Sequence, residues 1–157
     1  MEPNTKGPGD GLTLEDLEVG QVFRSPSYSM NAEEIKAFAG QFDPQPFHMD
    51  EQAAKSTFFG ELVASGWHTA AITMRLLVSS TPIKGGLVGA GGEISWLRPV
   101  RPGDTLRIET EILSIQPSRS RPDRGTVMVR TTTLNQEGRS VQVMTSRMVV
   151  PTRAAAG

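Results

Sequence analysis

Gly66-Trp67-His68-Thr69-Ala70-Ala71-Ile72-Thr73-Met74-Arg75-Leu76-Leu77-Val78-Ser79 carries the pattern on which the fold turns. Ala70, Ala71, Met74, Leu77 and Val78 recur at helical spacing, and Ile72 and Leu76 fill the remaining sides. A helix that is apolar nearly all round must be buried. Pro82 and the pair Gly85-Gly86 end it. Downstream the period changes from helical to alternating. Leu106, Ile108, Thr110 and Ile112 alternate with charged residues, and Val127, Val129 and Thr131 repeat the pattern. Asn135-Gln136-Glu137-Gly138 is a turn signal between strands predicted at 126–134 and 141–150, as in an antiparallel hairpin. A buried helix followed by successive antiparallel strands makes an α+β domain, with the sheet curled around a long central helix.

Upstream, 22–29 is a predicted first strand. It ends where Asn31 caps a helix, with Glu34 at the third helical position and a staple from Met30 to Ile35. A second short helix is expected to start at Asp50 as its N-cap. The Gly- and Pro-rich residues 1–13 are expected to be a disordered N-terminal segment and 151–157 a flexible tail, leaving one domain over 14–150. No repeat or second domain interrupts it.

The 157 residues are enough for one domain with a sizeable core. A hydrophobic content of 37% and a charged content of 21% exclude disordered and fibrous readings. Zero cysteines exclude a disulfide framework and thiolate metal sites, and two histidines leave little for a histidine-rich centre, so no metal is expected. No run is long and apolar enough for a signal peptide or a membrane span, so a cytoplasmic protein without membrane contact is expected. Net charge is −1, but residues 1–80 hold 5 basic and 11 acidic side chains, and the remainder is correspondingly basic. Arg119, Arg121 and Arg124 crowd one loop, whereas most other arginines alternate with apolar residues along strands, as solvated strand faces do. The basic residues lack interleaved aromatics and any binding motif, so no nucleic acid partner is expected.

Chemistry-bearing residues concentrate in Phe42-Asp43-Pro44-Gln45-Pro46-Phe47-His48-Met49-Asp50. Each proline fixes its own φ and disfavours helical conformation in the residue before it, so 43–46 should run extended or turned. Asp43 and His48 thereby form a preset pair of the kind that proton transfer requires. Taken alone, Asp43 reads first as a turn cap and His48 as a satisfied, partly buried histidine. Gly66 at the helix head, taken alone, reads first as a tightly packed helix start. His68, in the first turn of the same helix, reads as a core or capping residue.

Residues 38–77, with Trp96-Leu97-Arg98-Pro99-Val100-Arg101-Pro102-Gly103-Asp104, resemble the MaoC-like acyl dehydratases and (R)-specific enoyl-CoA hydratases. The block Asp43, Gln45, Pro46, Phe47, His48 and Asp50 follows the family pattern, and Ala53-Ala54 and Ala64-Ser65-Gly66 fall where it places small residues. The chain departs from it with Phe42 for a glycine, Ser65 for a histidine, and Thr73 and Met74 where many members carry a helix serine.

The resemblance implies the hot-dog fold, a homodimer, and hydration of a 2-enoyl-CoA thioester to a 3-hydroxyacyl-CoA. Coenzyme A enters only as part of the substrate, with no separate cofactor. It assigns Asp43 as general base and His48 to the water and the proton relay, a division that is reversible in a coupled pair. The amide of Gly66 holds the thioester oxygen, its missing Cβ giving the thioester room. Ser65 and Phe47 are expected to bind substrate, and Arg119, Arg121 and Arg124 the adenosine phosphates. Trp67, Tyr28, Phe58 and Phe59 are acyl-pocket or plain core residues. Two rival functions share this fold: an acyl-CoA thioesterase and a catalytically silent acyl-CoA-binding domain.

Overall fold

A computed structural model describes residues 11–156, and the expectation for 1–10 lies outside them. In chain order the elements are β1 (Val22–Arg24), β2 (Tyr28–Ser29), α1 (Ala32–Phe42), α2 (Pro46–Met49), α3 (Glu51–Ala54), α4 (Gly66–Ser80), β3 (Val88–Trp96), β4 (Thr105–Pro117), β5 (Arg124–Leu134), β6 (Ser140–Pro151) and α5 (Arg153–Ala156). The sheet is antiparallel, ordered β1-β4-β5-β6-β3, with β2 also on β4. The expected first strand is broken because Pro26 lacks the N–H that a ladder needs, and Ser25 bonds Ile108 at the break.

Alternation in β4 and β5 does what its period requires: Leu106, Ile108, Ile112, Val127 and Val129 point inward and are buried. Leu106, Ile108 and Val141 meet Ile72, Leu76 and Leu77 of α4, and Met30 and Ile35 join the same cluster. Burying one such side chain contributes about 1.5–3 kcal/mol. A second cluster, with Leu14, Ile83, Ile112, Val127 and Val150, closes the far end of the sheet. Asn31 caps α1 by accepting from the Glu34 amide, and Asp50 caps α3 by accepting from Ala53. The Glu34 carboxylate accepts from the Tyr28 hydroxyl.

Three expectations change. Helix α4 is not enclosed: Trp67, Ala71, Met74 and Val78 form an exposed stripe, because within this chain nothing packs on that side. Beside it lies β3, an edge strand whose glycine-rich start hides any alternation and whose residues are almost all exposed. At the N-terminus, order begins before Leu14, since Leu12 bridges to Ile83 and Thr13 is buried. Beyond β6, 153–156 form a helical turn, where Arg153 bonds Glu15 and Asp16 rather than trailing free.

Candidate active site

Pro44 ends α1 by disfavouring helical conformation in Asp43, which takes φ −155° and ψ 66° as the C-cap. Pro46 then opens α2 at its first position, where a fixed φ and a missing N–H suit a helix start. The extended segment is therefore shorter than the prolines suggested, ending at Gln45. One helical turn then carries Phe47 and His48 inward.

His48 is buried, and its Nδ1 lies 2.7 Å from the Val63 carbonyl oxygen. A carbonyl only accepts, so Nδ1 carries the proton. Nε2 is thereby directed at Asp43, 3.3 Å from Oδ2. Asp43 is held on both oxygens: Gln45 donates to Oδ1 at 2.5 Å, and the Ser65 hydroxyl donates to Oδ2 at 2.7 Å. Burial pushes the Asp43 carboxyl up, but the hydrogen bonds from Ser65 and Gln45 and the charge of His48 outweigh it, so Asp43 sits below its ordinary value.

Ser65 also caps α4, accepting from the Trp67 amide at 3.2 Å. It is fully buried, does not line the cleft, and braces the carboxylate. Gly66, the first residue of α4, lines the same cleft as Asp43 and His48. Among the described residues nothing accepts its N–H, which lies at the positive end of the helix dipole. A Cβ on Gly66 would come within 2.6 Å of the Trp96 indole, so the glycine accommodates a tryptophan.

The cleft encloses about 520 Å³ and is lined by Phe47, Phe58, Phe59, Trp67 and Trp96 around the polar pair. Phe47 packs edge-on against His48 and against Phe59. Tyr28 is elsewhere, half-buried against α4 and bonded to Glu34. Arg119, Arg121 and Arg124 are not at this cleft. Arg124 pairs with Pro151 and Val88 with Val149, whereas Trp96 pairs with Gln142. Strand register thus puts the arginine hairpin roughly 25–30 Å along the sheet from the site. Arg124 is engaged there by Asp123 at 2.9 Å. Arg98 on the cleft wall is the cation that the sequence reading passed over, although it sits inside the Trp96–Asp104 block.

His68 packs flat on Phe38, with ring centroids 4.7 Å apart, and its Nδ1 has no hydrogen-bond partner among the described residues. Burial pushes its pKa down against the pull of Glu34, so it stays neutral in the core.

Residues 16–135 match the MaoC-like domain family. Among solved structures, a MaoC-like dehydratase from Rhodospirillum rubrum superimposes with a TM-score of 0.89 at 58% identity, covering 91% of this chain and 99% of that one. The (R)-specific enoyl-CoA hydratase of Aeromonas caviae is 32% identical over 67% of this chain and 78% of its own length. The uncharacterized protein YdeM of Bacillus subtilis is 35% identical over 80% of this chain and 89% of its own. The antiparallel sheet around α4 is the hot-dog fold, and the chain belongs to the MaoC-like domain family.

Proposed function

We propose that the protein is a hydro-lyase that reversibly hydrates a 2-enoyl-CoA thioester to a 3-hydroxyacyl-CoA. The observation that carries this reading is that a carboxylate, an imidazole with its Nε2 turned inward, and an unbonded helix-start amide line one apolar cleft. Water held between Asp43 and His48 loses a proton to the pair as its oxygen bonds C3. The C2–C3 π electrons move toward the carbonyl, and the charge on the thioester oxygen is met by the Gly66 amide. The pair then delivers that proton to C2 of the enolate, which restores the pair and leaves the addition of water redox-neutral.

Asp43 and His48, 3.3 Å apart, share the proton transfer as a coupled pair. The aromatic wall suits an apolar acyl group, and Arg98 suits the anionic end of coenzyme A. Two copies joined along the open edge of β3 would pair its free backbone groups and cover the α4 stripe, which supports a homodimer. Among the described residues no helix is long and apolar enough to cross a membrane.

Incubation with crotonyl-CoA tests the reaction. Loss of enoyl absorbance without free thiol is the expected result. Thiol release would mean a thioesterase, and no reaction with any enoyl-CoA would leave a binding domain.

A further inference from the structure

Gly66 is fastened to the sheet by a polar relay, exposed at Trp96 and buried at Gln142, Thr73 and Thr133, that the proposed chemistry does not by itself require. Trp96 Nε1 donates to the Gly66 carbonyl oxygen at 3.0 Å and to Gln142 Oε1 at 2.9 Å. Gln142 Nε2 donates to Thr73 Oγ1 at 3.1 Å, and Thr73 shares a 2.6 Å bond with Thr133. Trp96, Gln142 and Thr133 are direct cross-strand partners on β3, β6 and β5, so they form one row across the sheet. Gly66 and Thr73 stand two turns apart on α4. The row therefore grips the helix at its first residue and again at mid-length.

Gln142 has no exposed surface and sits against the buried hydroxyls of Thr73 and Thr133. Burying a primary amide costs free energy that its hydrogen bonds only roughly recover. A methionine of similar shape would fill the space, and the Trp96 N–H would still have the Gly66 carbonyl. What the amide adds is direction: hydrophobic contact is non-directional, whereas a hydrogen bond sets an angle. Here it sets the indole, and the indole abuts Gly66 so closely that a Cβ would not fit.

We propose that Gln142, acting through Trp96, is a positioning residue that aims the Gly66 amide at the thioester oxygen; this rests on the hydratase reading above. Neither its side chain nor that of Thr73 lines the cleft, so both act at a distance.

The test is Gln142→Met in the full chain, with Trp96→Phe as a second variant that keeps a ring against Gly66 and deletes the N–H. Turnover of crotonyl-CoA, thermal melting, and the backbone amide signal of Gly66 by NMR are measured on each. For both variants kcat is expected to fall by about tenfold or more with KM little changed, as when an interaction specific to the transition state is misaligned. For Gln142→Met the melting temperature should not fall, and the Gly66 amide signal should move although residue 142 does not touch it. A merely structural glutamine predicts the opposite, lowered melting with kcat retained, and that result overturns the proposal. An unmoved Gly66 signal in both variants overturns it as well. If the wild type hydrates no enoyl-CoA, the hydratase reading fails, and the NMR arm still decides whether the relay positions Gly66.

Discussion

The Ser65 hydroxyl donates to Asp43 Oδ2 at 2.7 Å while its oxygen accepts from the Trp67 amide, so a single buried side chain ties the carboxylate to the head of α4. Ser65→Ala should cost about 1–3 kcal/mol, from a lost cap and a lost bond to a charged acceptor. It should also change the pH response. Asp43 is depressed in the folded state, so its contribution to stability is present above the unfolded value and is lost as pH falls through the folded one. Removing the Ser65 bond raises the folded value toward the unfolded one, so the Asp43-linked loss of stability in acid should shrink and the acid limb of kcat/KM should move to higher pH. An acid limb unmoved in the variant would show that Ser65 does not hold the carboxylate.

Asp43→Asn and His48→Gln should each lower crotonyl-CoA hydration by about 10²–10⁴-fold with the fold kept, the usual scale for losing a proton-transfer group. Circular dichroism and the initial rate check this. A folded Asp43→Asn protein with wild-type turnover would remove Asp43 from the chemistry.

Gly66→Ala should destabilise the chain by about 1–3 kcal/mol through overpacking against the Trp96 indole. Adding Trp96→Leu should recover much of that loss, because the obstacle and not the helix start is at fault. Equal denaturation midpoints for the single and double variants would contradict the assignment.

Met74→Glu with Val78→Glu places charge on the exposed stripe of α4 next to the β3 edge. A homodimer using that face should dissociate, which sedimentation velocity would show as a fall to the monomer mass. A wild-type protein that already sediments as a monomer would rule out the dimer.

His68→Phe should leave turnover unchanged and abolish a pH dependence. With its folded pKa lowered from 6.5, His68 stays neutral while the unfolded chain takes up a proton. Its contribution to stability is thus present above the unfolded value and is lost as pH falls toward the lowered folded one. Denaturation midpoints between about pH 5 and 7 should be flatter in the variant. An unchanged slope would mean that His68 is not the group responsible.

Much of the fold was legible because its signals are local. Alternation in 105–134, the turn Asn135–Gly138, and the caps Asn31 and Asp50 each depend on residues within a few positions. β3 was not legible: its start, Val-Gly-Ala-Gly-Gly, has no alternation, and it becomes a strand because β6 offers a ladder. The exposed stripe of α4 was misread for a related reason, since apolar composition says that a face seeks cover but not whether the same chain supplies it.

The sequence by itself determined the candidate groups: two prolines preset the short segment that bears Asp43 and His48, and an apolar helix opens at Gly66, whose amide has no acceptor among the described residues. Only the tertiary structure decided how those groups are held. Ser65, the Val63 carbonyl and Trp96 reach them across 15 to 30 residues of chain, and Gln142 reaches Trp96 across 46. The same packing carried the hairpin arginines to the far end of the sheet, because strand register, set by which faces must be buried, fixes position along the sheet whatever charge a side chain bears.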